Sequence, residues 1–181
     1  VFGMSKLRLY LLGLITLLAF PAVAFAALYF FADKTIPEVL ELNRFFHINT
    51  FWGFLWGIVF AAVSGIIFNH PFFGDELNKQ KKILLSLRLT FIDKAFLSFC
   101  AGFGEEVLFR SGMQYWCGIW ITSVLFIAIH GYLNPKKWRL AIYGLFLIPF
   151  IVSLGYALGP LGLWFCIAAH MSYDLVIFLS L

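Results

Sequence analysis

A long apolar run near the start of the chain decides the fold class. Residues 7–32 read LRLYLLGLITLLAFPAVAFAALYFFA, with Lys6 before them and Asp33-Lys34 after them. A helix of this length can cross the hydrocarbon core of a bilayer, which takes about 20 apolar residues. The run therefore predicts a transmembrane helix, bent where Pro21 interrupts the backbone hydrogen bonds.

The composition extends this assignment to the whole chain. Of 181 residues, 62% are hydrophobic and only 12% are charged, and the mean hydropathy is +0.94. Such a chain predicts one integral membrane domain over residues 1–181, an all-α polytopic bundle of about six transmembrane helices plus an interfacial amphipathic helix. The net charge of +4 sits in short clusters between apolar runs, which argues against nucleic-acid binding.

Five further spans are expected, because the remaining apolar runs are separated by charged, Gly- or Pro-containing segments. Within residues 83–116, an amphipathic piece is expected to lie along the membrane surface, with Arg88, Asp93 and Lys94 in the head-group zone, before the third span begins. The other spans are predicted at 45–68, 119–130, 140–158 and 161–181, with turns at Gly118 and Gly159-Pro160.

The basic residues predict the orientation of the bundle. If the chain crosses the membrane six times at the predicted spans, nine basic residues lie on one side: Lys6, Arg8, Lys79, Lys81, Lys82, Arg88, Lys136, Lys137 and Arg139. Lys34 and Arg44 lie on the other side. Cytoplasmic loops collect Lys and Arg, so the N-terminus is expected to be cytoplasmic. The short chain favours a prokaryotic plasma membrane.

The third span contains GEEVLFR at residues 104–110, two adjacent carboxylates among hydrocarbon side chains. Placing a charged side chain inside the membrane costs at least a few kcal/mol, so such residues usually have a functional role. Glu106 and Arg110 stand about one helical turn apart, where each offsets the other's charge. Glu105 points about 100° away without such a partner, as a general base requires. The alternative is a purely structural ion cluster that ties helices together.

Histidines in two later spans are predicted to reach the depth of this pair. Glu105 lies 13 residues before Gly118 and His130 lies 12 after it, so an antiparallel helix pair brings both about 18–20 Å from that turn. His170 lies about 15 Å below the next turn on the same face, and Asp174 follows it one helical turn later. Three helices are thus expected to deliver ionisable groups to one level.

One carboxylate and two imidazoles in a buried cavity suit hydrolysis. Glu105 would accept a proton from water while the other groups hold the oxyanion. A divalent metal such as Zn²⁺ is the alternative, with Glu105, His130 and His170 as candidate ligands. The spacing leaves both chemistries open. Non-catalytic roles also stay open. His130 could be a histidine at a helix end near the head-groups, and a hydrogen bond between His170 and Asp174 could serve only the packing of the last helix.

These residues resemble the motifs of the CPBP family, the intramembrane glutamate proteases that include the eukaryotic CAAX prenyl endopeptidase and the bacterial Abi and bacteriocin self-immunity proteins. The matching motifs are Glu-Glu-x-x-x-Arg at 105–110, Phe-x-x-x-His at 126–130 and His-x-x-x-Asp at 170–174. The resemblance covers residues 99–174, the expected catalytic core. It implies Glu105 as the base that activates water, supported by Glu106 and Arg110, with His130, His170 and Asp174 completing the site.

One position departs from the eukaryotic members of that family. Asp174 stands where the eukaryotic enzyme has Asn, whereas prokaryotic relatives accept either residue. Asn can donate a hydrogen bond to an oxyanion, and an ionised Asp cannot. Asp174 is therefore expected either to be protonated or to orient His170 or a metal.

The resemblance implies an intramembrane endopeptidase that cleaves a membrane-associated or lipidated, CAAX-like polypeptide. Its expected partners are that substrate and the membrane lipids, not nucleic acid. Two other functions stay open: a proton-coupled transporter that uses the buried acids and histidines as a relay, and a catalytically idle immunity or scaffold protein. His47 and His70 are expected in loop or interfacial positions without a catalytic role. The sequence does not set the substrate, the metal dependence or the oligomeric state.

Overall fold

The computed structural model of the protein describes residues 5–68, 70, 72 and 81–181. Within these ranges the chain is helical and contains no strand, which confirms the predicted all-α fold. The helices are α1 Lys6–Ala32, α2 Ile36–Leu40, α3 Ile48–Phe68, α4 Phe91–Glu106, α5 Gln114–Ile129, α6 Trp138–Leu161 and α7 Leu163–Leu179. A π-helical segment, Val107–Met113, joins α4 to α5, and residues 81–86 are also helical.

Four of these helical stretches are long and apolar enough to cross a membrane. They are Lys6–Ala32, Ile48–Ile67, Phe91–Ile129 and Trp138–Leu161, and α7 is a shorter apolar helix. The third stretch is broken inside α5 at Gly118, which has φ 71° and ψ 173°, a conformation that glycine adopts without the strain of a side chain. The predicted helical bundle and the predicted turn at Gly118 are both confirmed.

The break at Gly118 makes a helical hairpin. Phe109 lies nine residues before this glycine and Phe126 eight residues after it, and their rings are in edge contact with centroids 5.0 Å apart. Two residues at nearly equal distances from a turn are in contact only when the two helical segments that flank the turn run antiparallel. The second arm of α5 therefore runs back along the π-helical segment towards the level of the Glu-Glu pair.

The last turn lies later than predicted. The sequence predicts a turn at Gly159-Pro160, but α6 continues through both residues to Leu161. The break falls at Gly162, with φ 90°, because a proline keeps a helix-compatible φ whereas glycine readily takes a positive one. The backbone N–H of Leu163, which follows the break, donates to Glu41 Oε2 at 3.0 Å.

The segment before α4 differs partly from its prediction. Lys79 of the predicted basic stretch lies outside the described residues, while Arg88 and Lys94 lie within them. Asp93, expected among the head-groups, is 5% exposed. It accepts the backbone N–H of Thr90 at 2.7 Å and contacts Lys6 and Tyr10 of α1. The start of α4 is therefore fixed to α1 by a polar cluster.

Glycines bring α7 close to the helices on either side of it. A Cβ on Gly57 of α3 would lie 2.0 Å from the carbonyl oxygen of Ala169, and one on Gly102 of α4 would lie 2.9 Å from the backbone nitrogen of Met171. Such contacts between backbones, made possible by small residues, are a common way for membrane helices to associate. They hold α7, and with it His170, between α3 and α4.

Candidate active site

Three helices bring the predicted base and the two histidines together. Glu105 comes from the last turn of α4, His130 from the C-terminal end of α5 and His170 from the middle of α7. Glu105 Oε2 lies 3.4 Å from Nε2 of His130 and 4.0 Å from Nε2 of His170. This oxygen is buried and makes no well-formed hydrogen bond within the described chain. One carboxylate oxygen thus faces two imidazole nitrogens with an unused acceptor position.

The neighbouring carboxylate has different partners. Glu106 Oε2 accepts a hydrogen bond from Arg110 Nε at 3.0 Å, and both side chains are completely buried. The structure therefore contains the ion pair that the spacing of four predicts. Glu106 Oε1 lies 2.8 Å from Nδ1 of His170, a contact that the sequence interpretation missed. When His170 Nδ1 carries the proton in this bond, its Nε2 is left for the cavity.

His130 is oriented by its own helix. Its Nδ1 lies 2.6 Å from the carbonyl oxygen of Phe126, one turn earlier, and its ring stacks on the ring of Phe126 with centroids 4.5 Å apart. A carbonyl can only accept, so Nδ1 carries the proton and Nε2 faces Glu105. Phe126 also meets the ring of His170 edge-on at 5.7 Å. The Phe of the Phe-x-x-x-His motif therefore positions both imidazoles.

Asp174 lies beside the same ring nitrogen of His170 that faces Glu105. Its Oδ2 is 3.7 Å from His170 Nε2, and the carboxylate is about one quarter exposed. The spacing of four on α7 thus places the two side chains together, as predicted. Of the roles left open by the sequence, this position fits a carboxylate that orients His170.

A cavity of about 320 Å³ has Glu105, His130, His170 and Asp174 in its polar lining. Its apolar walls include Ile127, Leu147, Phe150 and Ile151. Three tyrosines that the sequence analysis did not single out also line it: Tyr132, Tyr143 and Tyr173. Burial raises the pKa of Tyr132, in the loop after α5, far above its usual value, so its hydroxyl stays protonated at neutral pH. The cavity combines ionisable groups with a largely apolar wall.

The metal alternative was tested against the donor groups. Glu105, His130 and His170 supply ligand types that zinc accepts. Among residues 5–68, 70, 72 and 81–181, however, no group of three or more His, Cys, Asp or Glu side chains has the arrangement of a metal centre. Metal binding by Glu105, His130 and His170 stays a prediction.

The other two histidines lie apart from this cavity. His47 Nδ1 accepts the backbone N–H of Asn49 at 3.3 Å, and His70 Nδ1 accepts that of Phe72 at 3.3 Å. Each ring thus serves a local turn. Neither histidine is among the described residues that line the cavity.

Comparison with known proteins places these residues in a family context. The model of the type II CAAX prenyl endopeptidase Rce1-like family matches residues 88–176, a range that includes all six predicted site residues. A Bacillus subtilis (strain 168) protein named uncharacterized protein YpbD is 31% identical over 151 residues, which are 79% of this chain and 71% of that protein. No solved structure matches the chain.

Proposed function

We infer the function from one premise: the chain belongs to the Rce1-like family of type II CAAX prenyl endopeptidases. The resemblance found in the three motifs is thereby confirmed. Membership supports a CAAX-type protease of the membrane. Beyond this, we propose that the chain hydrolyses a peptide bond in a membrane-associated or lipidated, CAAX-like polypeptide. The observation that carries the proposal is the buried oxygen of Glu105 facing ring nitrogens of two histidines from other helices.

In the proposed mechanism Glu105 is the general base. Water binds against Glu105 Oε2 and His130 Nε2, where the carboxylate has its unused acceptor position. Glu105 takes one proton as the water oxygen attacks the scissile carbonyl carbon, a step that general-base catalysis accelerates by about 10²–10⁴. The same proton then passes from Glu105 to the leaving amine as the C–N bond breaks. The products are a new amine and a new carboxylic acid, which keeps the second proton of the water until it ionises.

His170 stabilises the developing charge in this mechanism. In this step His170 is doubly protonated: its Nδ1–H donates to Glu106, and its Nε2–H donates a hydrogen bond to the oxyanion as it forms. Glu106 and Arg110 are positioning residues, since their contacts fix the ring of His170. Asp174 lies beside Nε2 of His170 and orients the ring before the substrate binds.

The lining of the cavity supports an apolar substrate. The walls are hydrocarbon and aromatic side chains, and ionisable groups occupy the position of the reacting bond. A peptide segment with apolar or lipidated residues would bury its side chains against these walls. A soluble, charged peptide would leave its charges without partners there.

We further propose a multi-pass location in a prokaryotic plasma membrane with a cytoplasmic N-terminus. The apolar helices support several crossings, and the excess of Lys and Arg on one side supports the orientation. In this arrangement the cavity opens towards the cytoplasm, because Lys81 and the loop residue Tyr132 line it. The relative in Bacillus subtilis is in keeping with a bacterial membrane.

The proposal is tested with the purified chain in liposomes. A synthetic peptide with a prenylated, CAAX-like C-terminus is supplied beside the same peptide without the prenyl group, and new termini are identified by mass spectrometry. The parent chain is expected to cleave the prenylated peptide, whereas Glu105→Gln, which keeps the shape and removes the base, is expected to be inactive. Asp33→Asn, which also removes one negative charge, is the control, because Asp33 is exposed at the end of α1 and is not among the lining residues of the cavity.

Metal dependence is settled in the same assay. Cleavage that survives a chelator, in a sample without bound metal by elemental analysis, supports the mechanism through side chains alone. Cleavage that stops with the chelator and returns with zinc would assign Glu105, His130 and His170 as ligands instead. Equal cleavage by the parent and Glu105→Gln would exclude both mechanisms.

A further inference from the structure

A second cavity lies beside the Gly118 turn. It encloses about 210 Å³ between the loop after α1, helix α2 and the end of the π-helical segment, and we call it the distal cavity. Its polar lining includes Lys34, Glu38, Glu41, Arg110, Ser111 and Gln114. None of its described lining residues also lines the cavity that contains the histidines. The distal cavity is therefore separate from that cavity.

Arg110 is a lining residue of the distal cavity and has one unused donor group. Its Nε donates to Glu106 and its Nη1 to Gln114 Oε1 at 3.2 Å. Its Nη2 is buried and has no hydrogen-bond partner within the described chain. A buried donor without an acceptor is unfavourable by more than the net contribution of an ordinary hydrogen bond. A guanidinium in the wall of the distal cavity thus lacks one acceptor.

Lys34 adds a second cation to the same cavity. Its Nζ lies 5.7 Å from the ring centroid of Tyr115, which also lines the cavity. Lys34 is exposed and lies two residues after the end of α1. One buried and one exposed cationic side chain therefore line the same cavity.

The two carboxylates of the lining are already engaged. Glu38 Oε2 accepts hydrogen bonds from the backbone N–H and the hydroxyl of Thr35, both at 2.7 Å. Glu41 Oε2 accepts the N–H of Leu163 and lies 3.7 Å from Arg44. Each carboxylate thus uses one oxygen within the chain, whereas Arg110 Nη2 has no acceptor among the described residues.

We propose that the distal cavity binds a phosphate group, through Arg110 Nη2 and Lys34 Nζ. Phosphate supplies several strong acceptor oxygens, and Arg and Lys are its usual partners in proteins. Two sources have this chemistry: the head-group of a phospholipid in the leaflet at the Gly118 end, and free inorganic phosphate. Since Arg110 also holds Glu106, which holds His170, occupancy of the distal cavity stabilises the polar chain behind the candidate active site.

The experiment measures binding without depending on proteolysis. The full chain is purified in an uncharged maltoside detergent, and its thermal unfolding midpoint is followed against inorganic phosphate at constant ionic strength with chloride. A second series adds phosphatidylglycerol to the micelles, beside diacylglycerol, which lacks the phosphate. A ligand that binds only the folded state raises the midpoint. At least one phosphate-containing probe is expected to do so, and the series that responds identifies the source.

Two variants locate the binding site and have opposite expected effects. Lys34→Gln removes one charged donor, and the phosphate concentration for half-maximal stabilisation is expected to rise about tenfold. Glu38→Gln removes a like charge, keeps a side chain that can form the capping box, and is expected to lower that concentration. Lys136→Gln loses the same charge as Lys34→Gln on an exposed turn after α5 and is expected to behave as the parent.

The contradicting results are equally specific. If Lys34→Gln and Lys136→Gln respond to phosphate with the same half-maximal concentration as the parent, the anion binds elsewhere. If neither inorganic phosphate nor phosphatidylglycerol raises the midpoint of the parent, the distal cavity does not bind phosphate. Either result overturns the proposal and leaves the proposed hydrolysis unaffected.

Discussion

Glu106 links Arg110 to His170: one carboxylate oxygen lies 3.0 Å from Arg110 Nε and the other 2.8 Å from His170 Nδ1. All three side chains are almost completely buried, and His170 lies 64 residues further along the chain than Glu106. The same carboxylate thus neutralises a buried cation and sets the direction in which the second imidazole faces the cavity. The position of the His170 ring in the cavity therefore depends on Glu106.

Replacing Glu106 is expected to destabilise the fold. Glu106→Gln leaves the guanidinium of Arg110 buried without a counter-ion, which costs about 3–5 kcal/mol when one partner of a buried pair is removed. The free energy of unfolding, measured with a chemical denaturant in detergent, is expected to fall by about that amount. Asp33→Asn, at the exposed end of α1, is expected to change it by less than about 0.5 kcal/mol. An unchanged unfolding free energy for Glu106→Gln would contradict the assigned role of the pair.

Close packing of α3 on α7 gives a second prediction. Gly57→Ala would place a methyl group 2.0 Å from the carbonyl oxygen of Ala169, so the helices must move apart at a cost of about 1–3 kcal/mol or more. Because His170 follows Ala169, hydrolysis is expected to fall together with stability. Gly65→Ala on the same helix is the control, since its Cβ would have no heavy atom of the described residues within 4 Å. Equal stability of the two variants would contradict the described contact.

Asp174 is expected to tolerate replacement by Asn. Its carboxylate lies 3.7 Å from His170 Nε2, and an amide oxygen of the same shape can still orient the ring. Asp174→Asn is expected to retain the cleavage rate within about tenfold, the equivalent of one hydrogen bond of about 1.4 kcal/mol. Asp174→Leu, with no acceptor, is expected to be slower than Asp174→Asn. If both variants cleave at the parent's rate, Asp174 has no part in orienting His170.

The proposed orientation is tested with a cysteine that the chain already contains. Cys117 is exposed next to the Gly118 turn, whereas Cys100 and Cys166 are buried. With a cytoplasmic N-terminus, this turn lies on the external side, so a membrane-impermeant maleimide is expected to label intact cells at Cys117. Cys117→Ser gives the background. Labelling that needs permeabilised cells would reverse the orientation.

The level of the site could be predicted because helices have a fixed rise per residue. Glu105 and His130 lie 13 and 12 residues from Gly118, and the structure places their side chains 3.4 Å apart. The Glu106–Arg110 pair could also be predicted, because residues four apart lie on the same face of one helix. Both inferences needed only the position of one turn.

Contacts between distant helices could not be predicted in this way. The bond between Glu106 and His170 depends on how α4 and α7 rotate against each other, which backbone contacts at Gly102 determine and no spacing encodes. The three tyrosines of the cavity belong to no sequence motif, and they line the cavity only through the packing of separate helices. Asp93 was expected in the head-group zone as part of an amphipathic interfacial segment, and its contacts with Lys6 and Tyr10 of α1 had no signal in the sequence.

The central claim is that Glu105 activates water in a cavity shared with His130 and His170. The most direct measurement is the turnover rate of Glu105→Gln beside the parent on the prenylated peptide in liposomes, with thermal unfolding as the check on folding. A rate about 10²–10⁴ lower at an unchanged unfolding midpoint is the predicted result. A folded Glu105→Gln chain that cleaves the peptide as fast as the parent would contradict the account.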